Sequence, residues 1–434
     1  MVTYWAQWAH LPQGMTESVT IDVVDGRITA VAPGTEPGDA TQLTGVTLPG
    51  FANAHSHAFH RALRGRTHYE RGTFWTWRQS MYALADRLEP DSYYRLARAV
   101  YAEMALAGVS CVGEFHYLHH AEGGVRYNNP NAMGEALMAA ADDAGIRLTL
   151  LDTLYVTGGF SQALTASQLR FNDGDVESWA ARVGDLLPGA HVKVGAAAHS
   201  VRAVPYDQLS RFAAATADVP VHMHLSEQVA ENEACVSTHG VTPTQLLRRH
   251  GLLRENLTAV HATHLTARDI ELLGTAGSGV CFCPTTERDL ADGIGPASAL
   301  AQAGSPLSLG SDSHAIVDLI EEARALEMHE RLASHERGHF APEELLHAAT
   351  EAGHVALGWS DAGRIEEGLR ADLVTVDLHT PRTAGAAPDG VLLAGSAADI
   401  HHVVIDGRLV ATGGQHVDID TGRELTDVIG ELTT

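Results

Sequence analysis

The chain has 434 residues, 45% of them hydrophobic, and a formal net charge of −25 at pH 7. That length and apolar content suffice for one large buried core with a smaller domain beside it. The strong negative charge argues against nucleic acid or an anionic membrane as a partner. The sequence has no signal-peptide pattern, no apolar run of about 18 residues and no disulfide framework among its four cysteines, so we expect a cytoplasmic protein.

Both ends of the chain carry a β-hairpin pattern. Residues 18–31, SVTIDVVDGRITAV, alternate apolar and polar residues around the Asp-Gly pair at 25–26. Residues 401–412, HHVVIDGRLVAT, repeat this pattern around the Asp-Gly pair at 406–407. Asp-Gly between such segments is a strong signal for a two-residue turn. With a further strand expected at 372–378, the pattern predicts one small β-sandwich domain to which both termini contribute.

The middle of the chain alternates apolar, strand-like runs with stretches that suit helices, such as 91–108 and 131–145. The strand candidates are 48–55, 109–115, 147–155, 191–200, 219–227, 257–265, 278–286 and 306–314. Near-continuous apolar strands between helices are typical of parallel sheets that are buried on both faces. Eight such units predict a (β/α)₈ barrel, an α/β fold whose active site lies at the C-terminal ends of the strands.

These patterns divide the chain into three expected segments. Residues 1–47 and 365–434 form the two parts of the β domain, and residues 48–364 form the barrel. An aromatic and basic insertion at 64–87 interrupts the alternation after the first barrel strand. Because a long loop in a compact domain is usually functional, we expect this insertion to fold over the mouth of the barrel.

Four short phrases at the downstream ends of barrel strands carry candidate metal ligands. They are HSH at 55–57, HMHLSE at 222–227, VHATH at 260–264 and SDSH at 311–314. Residues i and i+2 of a strand project to the same face, so the two histidines of HSH can bind one ion together. Imidazoles and a carboxylate suit zinc, and also iron or manganese. We predict one divalent metal ion, with zinc favoured, bound by His55, His57, His224 and Asp312.

Three residues around this metal are candidates for catalysis. Glu227, three residues after His224, is placed to move protons beside a metal-bound water. Asp312 is expected both to bind the metal and to accept a proton. His261 ends another strand, and its spacing leaves open whether it binds the metal directly. Together these residues predict a metal-dependent hydrolase.

The motifs also carry a family resemblance. The order PGFANAHSH, HLSE, VHATH and SDSH resembles the amidohydrolase superfamily across the whole chain, including the flanking β domain. More narrowly, HSHAFHRALRG, GTFWTWRQSMY, GEFHYLHH, AAHSVRAV, HLSEQ and CPTTE resemble the formimidoylglutamate deiminases of histidine degradation. One position departs from that family, which commonly has Gln beside the substrate where this chain has His60.

The resemblance implies that N-formimidoyl-L-glutamate and water give N-formyl-L-glutamate and ammonia. It also implies that His261 is catalytic and not a ligand, and that Arg78 and Arg202 bind the two substrate carboxylates. Arginine is the natural bidentate partner of a carboxylate. Tyr117, just beyond the second barrel strand, is a further candidate for substrate binding, and so is His60.

Two alternatives stay open. The same scaffold and metal set would serve a deaminase of a nucleobase or related heterocycle, which would not need two carboxylate-binding arginines. A metal-binding protein without catalysis is disfavoured by Glu227, because neither the fold nor metal binding requires an acid there. As partners we expect the small substrate and water, with no nucleic acid and no membrane, in a homodimer.

Overall fold

The computed structural model of the protein describes residues 1–68 and 72–433. Two eight-stranded sheets organise this part of the chain. The strands are β1 Val2–Leu11, β2 Gly14–Val24, β3 Arg27–Pro33, β4 Thr41–Pro49, β5 Phe51–Ser56, β6 Val109–His116, β7 Arg147–Leu154, β8 Val192–Ala198, β9 Val221–Leu225, β10 Leu257–His261, β11 Gly279–Phe282, β12 Leu307–Leu309, β13 Leu373–Val376, β14 Ile400–Ile405, β15 Arg408–Thr412 and β16 Gln415–His416.

The helices lie mainly between the strands of the second sheet. They are α1 Phe74–Ala85, α2 Pro90–Leu106, α3 Ala132–Asp143, α4 Val176–Val183, α5 Tyr206–Ala215, α6 Val229–His239, α7 Pro243–Arg249, α8 Ala267–Thr275, α9 Pro284–Asp289, α10 Ala297–Ala303, α11 Leu319–Ser334, α12 Pro342–Ala349, α13 Glu351–Ala356, α14 Val391–Ala394 and α15 Thr421–Thr433. Within the described ranges, none of these helices combines the length and the apolar character needed to cross a bilayer.

The second sheet runs in sequence order from β5 to β12 with parallel neighbours, and its two ends meet. An isolated parallel bridge joins Ser56 to Asp312, and the Asp312 N–H donates to the His55 carbonyl at 3.0 Å. A Cβ at Gly310 would lie 2.8 Å from the Cβ of His55, so glycine there lets the first and last strands approach. The expected (β/α)₈ barrel is confirmed, and each of its eight strands overlaps its expected stretch, although β5 and β6 each end one residue later than expected.

The barrel strands are buried on both faces, as their apolar sequences require. Every residue of β6 and of β7 is buried between the barrel interior and the surrounding helices. The expected helices also form, at Pro90–Leu106 and Ala132–Asp143. Pro90 occupies the first turn of α2, where its missing N–H breaks no helical hydrogen bond.

The other sheet contains strands from both ends of the chain, in the order β16-β15-β14-β13-β4-β1-β2-β3. Asp25 and Gly26 connect β2 to β3 with φ of 48° and 78°, and Asp406 and Gly407 connect β14 to β15 with φ of 46° and 72°. Positive φ at both central residues is the type I′ turn that matches the twist of the strands. Both hairpins predicted from Asp-Gly are therefore confirmed, and both termini build the β domain.

A buried ion pair joins the two sheets. Arg147, at the start of β7, binds Asp372, just before β13, with one Nη1–Oδ1 distance of 3.0 Å. Both side chains are only 1% exposed. Arg147 also contacts Asp406 in the C-terminal hairpin at 3.1 Å. The barrel and the β domain thus share a charged contact that would be costly to break from one side.

The aromatic insertion contains α1 and lies at the C-terminal end of the barrel. Residues Phe74, Trp77, Arg78, Met81 and Tyr82 of this helix line the same cavity as the strand-end residues. Residues 69–71 of the insertion lie outside the described residues. The helix therefore covers the barrel mouth from one side.

Candidate metal centre and active site

Three imidazoles and one carboxylate converge at the mouth of the barrel. His55 and His57 come from the end of β5, His224 from β9, and Asp312 follows β12. The Nε2 atoms of His55 and His224 are 3.1 Å apart, and Asp312 Oδ1 lies 3.3 Å from His55 Nε2 and 3.4 Å from His57 Nε2. One donor atom from each of the four residues lies within 4.8 Å of the others. This spacing would let all four donors reach one ion.

Hydrogen bonds on the far side of two rings orient these donors. His57 Nδ1 lies 3.0 Å from the Phe115 carbonyl, and His224 Nδ1 lies 3.0 Å from the His199 carbonyl. Because a carbonyl only accepts, each Nδ1 must carry the proton, which leaves Nε2 with its lone pair facing the cluster. Such backbone contacts are the usual support for metal-binding histidines. The donor set therefore fits a divalent metal ion.

The protonation states also suit a metal. Burial lowers the pKa of His57 to about 3 and lowers the pKa of His224 well below its ordinary value. Burial alone would raise the pKa of Asp312, but the hydrogen bond from His55 and the neighbouring imidazoles bring that pKa below its usual range. Neutral imidazoles and an ionised carboxylate are the forms that bind metals.

Glu227 and His261 face this cluster. His261 Nε2 lies 3.9 Å from Glu227 Oε1 and 3.8 Å from Asp312 Oδ2, while its Nδ1 lies 3.3 Å from Glu287 Oε1. Burial raises the pKa of Glu227 to about 7, although His261 opposes the shift. Burial would lower the pKa of His261, but Glu227 and Glu287 raise it above its ordinary value. The pair combines a carboxyl that can exchange protons near neutral pH with an imidazole directed at the cluster.

The backbone is strained where these residues are presented. Ser226, His261 and Asp312 are non-glycine residues with φ of 52°, 69° and 39°. Positive φ is unfavourable for such residues, costing about 1–3 kcal/mol each, and is concentrated at functional sites. These three residues lie at the ends of three barrel strands, beside or within the cluster.

One cavity connects this centre to two arginines. Its walls include nine of the ten residues singled out in the sequence, namely His57, His60, Arg78, Tyr117, Arg202, His224, Glu227, His261 and Asp312. The tenth, His55, lies beneath the cavity against His224 and Asp312. Residues from the insertion and from six barrel strand ends thus meet in a single space.

The two arginines differ in their partners. Arg202, after β8, donates from Nε to Glu231 Oε2 at 2.6 Å. Arg78 donates to the Tyr82 hydroxyl at 2.5 Å and lies 3.5 Å from the Tyr155 hydroxyl. Among the described residues Arg78 makes no ion pair, and its side-chain hydrogen bonds go to tyrosine hydroxyls. An unpaired guanidinium in a cavity is a natural partner for an anionic ligand.

His60 and Tyr117 sit side by side on the cavity wall. The Tyr117 hydroxyl lies 3.1 Å from His60 Nε2, and the rings of His57 and His60 are 4.6 Å apart. The His60 Nδ1 atom is buried without a hydrogen-bond partner in the described part of the chain. Both side chains can therefore reach a ligand placed between the metal centre and the arginines.

The sequence interpretation missed several residues that line this cavity. Tyr155 immediately follows the third barrel strand, and His199 immediately follows the fourth. Both could have been found from the expectation that side chains at the C-terminal ends of barrel strands form the active site. Tyr82 lies one helical turn after Arg78, so its proximity follows from the spacing i, i+4. The only sequence feature that pointed to Trp77 as a cavity residue was the aromatic character of the insertion.

A second histidine and aspartate cluster, His116, His119 and Asp152, lies buried away from the cavity. Both carboxylate oxygens of Asp152 accept hydrogen bonds from Arg182, and one also accepts from Trp179. A carboxylate already saturated by a guanidinium is a poor metal ligand, because the cation beside it repels a second one. We interpret this cluster as a structural ion-pair network.

The fold and the donor set define the class of the protein as a metal-dependent hydrolase. Residues 46–410 match the amidohydrolase family, and the chain belongs to that family. A formimidoylglutamate deiminase from Pseudomonas aeruginosa is 35% identical, with 100% of both chains covered, which confirms the resemblance seen in the sequence motifs.

Solved structures agree on the architecture. An amidohydrolase from Brucella melitensis is 32% identical, with a TM-score of 0.92 and 100% of both chains covered. An adenosine deaminase from Xanthomonas campestris with bound zinc is 24% identical, with a TM-score of 0.86, and the match covers 100% of this chain and 97% of that one. At that identity the second likeness supports the fold alone.

Proposed function

We propose that the protein hydrolyses N-formimidoyl-L-glutamate to N-formyl-L-glutamate and ammonia. The observation that carries the proposal is the single cavity with Glu227 and His261 at its inner end and Arg78 and Arg202 on its wall. The substrate has a matching polarity, with a small amidine at one end and two carboxylates at the other. The 35% identical formimidoylglutamate deiminase supports the same substrate.

We propose one divalent ion, zinc, with His55, His57, His224 and Asp312 as its ligands. Support comes from the convergence of their donor atoms and from the chemistry of the set, since three imidazoles and a carboxylate suit zinc. A zinc ion bound there would lower the pKa of water from about 16 towards 7 and so supply a nucleophile at neutral pH.

Glu227 is the proposed general acid and base. Its carboxylate takes one proton from the attacking water and delivers it to the terminal nitrogen of the amidine, which becomes an amino group. The second proton of that water, on the hydroxyl of the tetrahedral intermediate, is then transferred to the same nitrogen through the carboxylate. The C–N bond to that nitrogen breaks as the C–O bond becomes the new carbonyl, so that ammonia leaves and the formyl group stays on the glutamate nitrogen. A carboxyl with its pKa raised to about 7 by burial suits both transfers near neutral pH.

His261 is the proposed electrophile beside this step. Its Nδ1 faces the Glu287 carboxylate, so a proton on Nε2 is directed towards Glu227 and Asp312. There it can donate a hydrogen bond to the attacking oxygen or polarise the amidine. Asp312 is the nearest further carboxylate that could accept a proton during the reaction.

The carboxylate end of the substrate is assigned to Arg78 and Arg202, with Tyr117 and His60 between them and the metal centre. Each guanidinium can offer two parallel N–H donors to a carboxylate, which a single ammonium cannot do. The proposal also includes the segments expected from the sequence, a homodimer and a cytoplasmic location.

The test is ammonia release by the purified, zinc-loaded protein from formimidoylglutamate, beside guanine, cytosine and adenosine. We expect turnover of formimidoylglutamate alone, with one N-formylglutamate formed for each ammonia. A preference for any of the heterocycles would favour the alternative deaminase and refute the proposed substrate. Protein stripped of metal by a chelator and then reloaded serves as the control for metal dependence.

A further inference from the structure

Glu231 is a buried carboxylate that the proposed chemistry does not use. It lies in the first turn of α6, and its side chain is 1% exposed. One oxygen, Oε2, accepts from Arg202 Nε at 2.6 Å, and the other, Oε1, accepts from the Ser226 backbone N–H at 2.9 Å. The carboxylate therefore bridges the arginine of the cavity wall and the turn that precedes Glu227.

Arg202 needs such an anchor because of where it lies. Its side chain borders the active-site cavity and also a neighbouring surface cavity that Trp75 and Phe160 line. A guanidinium between two spaces can rotate towards either one. The short contact from Nε to Glu231 favours one orientation and offsets the cost of holding the charge in a largely buried position.

The geometry leaves the binding atoms of Arg202 free. Within the described part of the chain, the Arg202 side chain donates a single hydrogen bond, from Nε to Glu231. Both terminal nitrogens remain available to a ligand. Those two nitrogens form one edge of the guanidinium fork and can bind a carboxylate in a bidentate manner.

We propose that Glu231 is a positioning residue, which holds Arg202 so that its terminal nitrogens face the substrate carboxylate. This inference rests on the proposed function, since it assigns the arginine a carboxylate to bind. It predicts that Glu231 acts on substrate binding and acts through Arg202. The metal centre and Glu227 would then work normally on a substrate that has no carboxylate.

The experiment compares E231A and E231Q with the wild type on formimidoylglutamate and on a formamidine without carboxylates. For formimidoylglutamate, E231A should raise KM by about 30-fold with little change in kcat. This rise in KM is at the low end of the range expected when a buried charged pair is broken. For the formamidine, kcat/KM should stay unchanged. E231Q should fall between, because Ser226 and Arg202 donate to different oxygens of Glu231 and glutamine replaces one of these acceptors with an NH2 donor.

A double-mutant cycle then tests whether the effect passes through Arg202. In an R202M background, E231A should cause no further loss in kcat/KM. The exposed Glu233 on the same helix offers a matched control, since E233A removes one negative charge without touching the pair. Equal losses on both substrates, or a full effect of E231A in the R202M background, would overturn the positioning role.

A urea-unfolding cycle separates this inference from the proposed function. If the wild type releases no ammonia from formimidoylglutamate, the proposed function fails, and the pairing is then judged by stability alone. E231A and R202M should be coupled, with the double variant less destabilised than the sum of the single ones. Additive destabilisation would overturn the pairing whatever the substrate is.

Discussion

Replacing Arg78 with methionine tests the substrate assignment most directly. Arg78 pairs with tyrosine hydroxyls and lies over the rings of Trp75 and Tyr82 at 5.6 Å and 5.1 Å from their centroids. Since it makes no ion pair among the described residues, R78M leaves no protein carboxylate without a partner. Methionine also keeps the apolar contacts of the side-chain stem. We therefore expect R78M to fold with nearly unchanged stability.

The loss should instead appear in the substrate complex. Removing one partner of a charge pair in a cavity costs about 2–5 kcal/mol, because the remaining carboxylate is left without a counterion. The low end applies here, since Arg78 is only partly buried and Arg202 remains in place. A loss of about 2 kcal/mol corresponds to about a 30-fold fall in kcat/KM for formimidoylglutamate. R202M is less suitable for this purpose because it also leaves Glu231 buried without its partner.

The assay is ammonia release by R78M, R78K and the wild type with formimidoylglutamate and with a formamidine that has no carboxylates. The formamidine should be hydrolysed equally well by R78M, because the metal ligands and Glu227 are untouched. R78K should lie between R78M and the wild type, since lysine keeps the charge but loses the planar fork. R66M, at an exposed arginine of the same insertion, is the matched control for lost charge. Equal losses on both substrates would mean that Arg78 supports the structure and does not bind a carboxylate.

Three further predictions concern the metal centre and the fold. E227Q should retain the metal and lose at least about 100-fold in kcat, the low end for a general acid and base, whereas near-normal kcat with bound metal would remove Glu227 from the mechanism. Elemental analysis should find one ion per chain in the wild type and much less in H224A, and two ions per chain would contradict the site. R147M should lower the free energy of unfolding by about 3–5 kcal/mol in urea at neutral pH, because Asp372 is left buried and unpaired. Burial without Arg147 raises the pKa of Asp372 in R147M, whereas Arg147 lowers it in the wild type. The stability difference should therefore be largest when Asp372 is ionised in both proteins. It should start to shrink above the ordinary aspartate pKa of about 4, as folded R147M takes up a proton, and shrink further in acid; a difference that grows as the pH falls would refute this reasoning.

The repeating parts of the fold could be predicted because their signals are local. Buried parallel strands have apolar runs, and the two Asp-Gly pairs specify turns whose positive φ few other residue pairs tolerate. The order of the strands then places His55, His224 and Asp312 at one end of a closed barrel. No long-range contact had to be known for these steps.

The choice between His222 and His224 shows where local signals stop. Both histidines lie on the same face of β9, and the structure distinguishes them by their partners. His222 Nε2 contacts the Ala356 carbonyl at 3.1 Å, whereas His224 Nε2 faces His55. The sequence predicted His224 as a ligand, but the ring orientation that makes it a donor depends on the carbonyl of His199, which follows the neighbouring strand β8.

The sequence by itself determined the class of fold, the hairpins and the positions of the donor residues at the strand ends. Periodicity and turn chemistry depend on residues that are close together in the sequence, so these features could be identified without knowing any tertiary contact. Only the tertiary structure decided that Arg78 from the insertion reaches the cavity with no acidic partner among the described residues, and that Glu231 contacts Arg202. These contacts join segments whose packing is set by the whole barrel, and nothing in their spacing along the chain specifies which charges meet and which remain free.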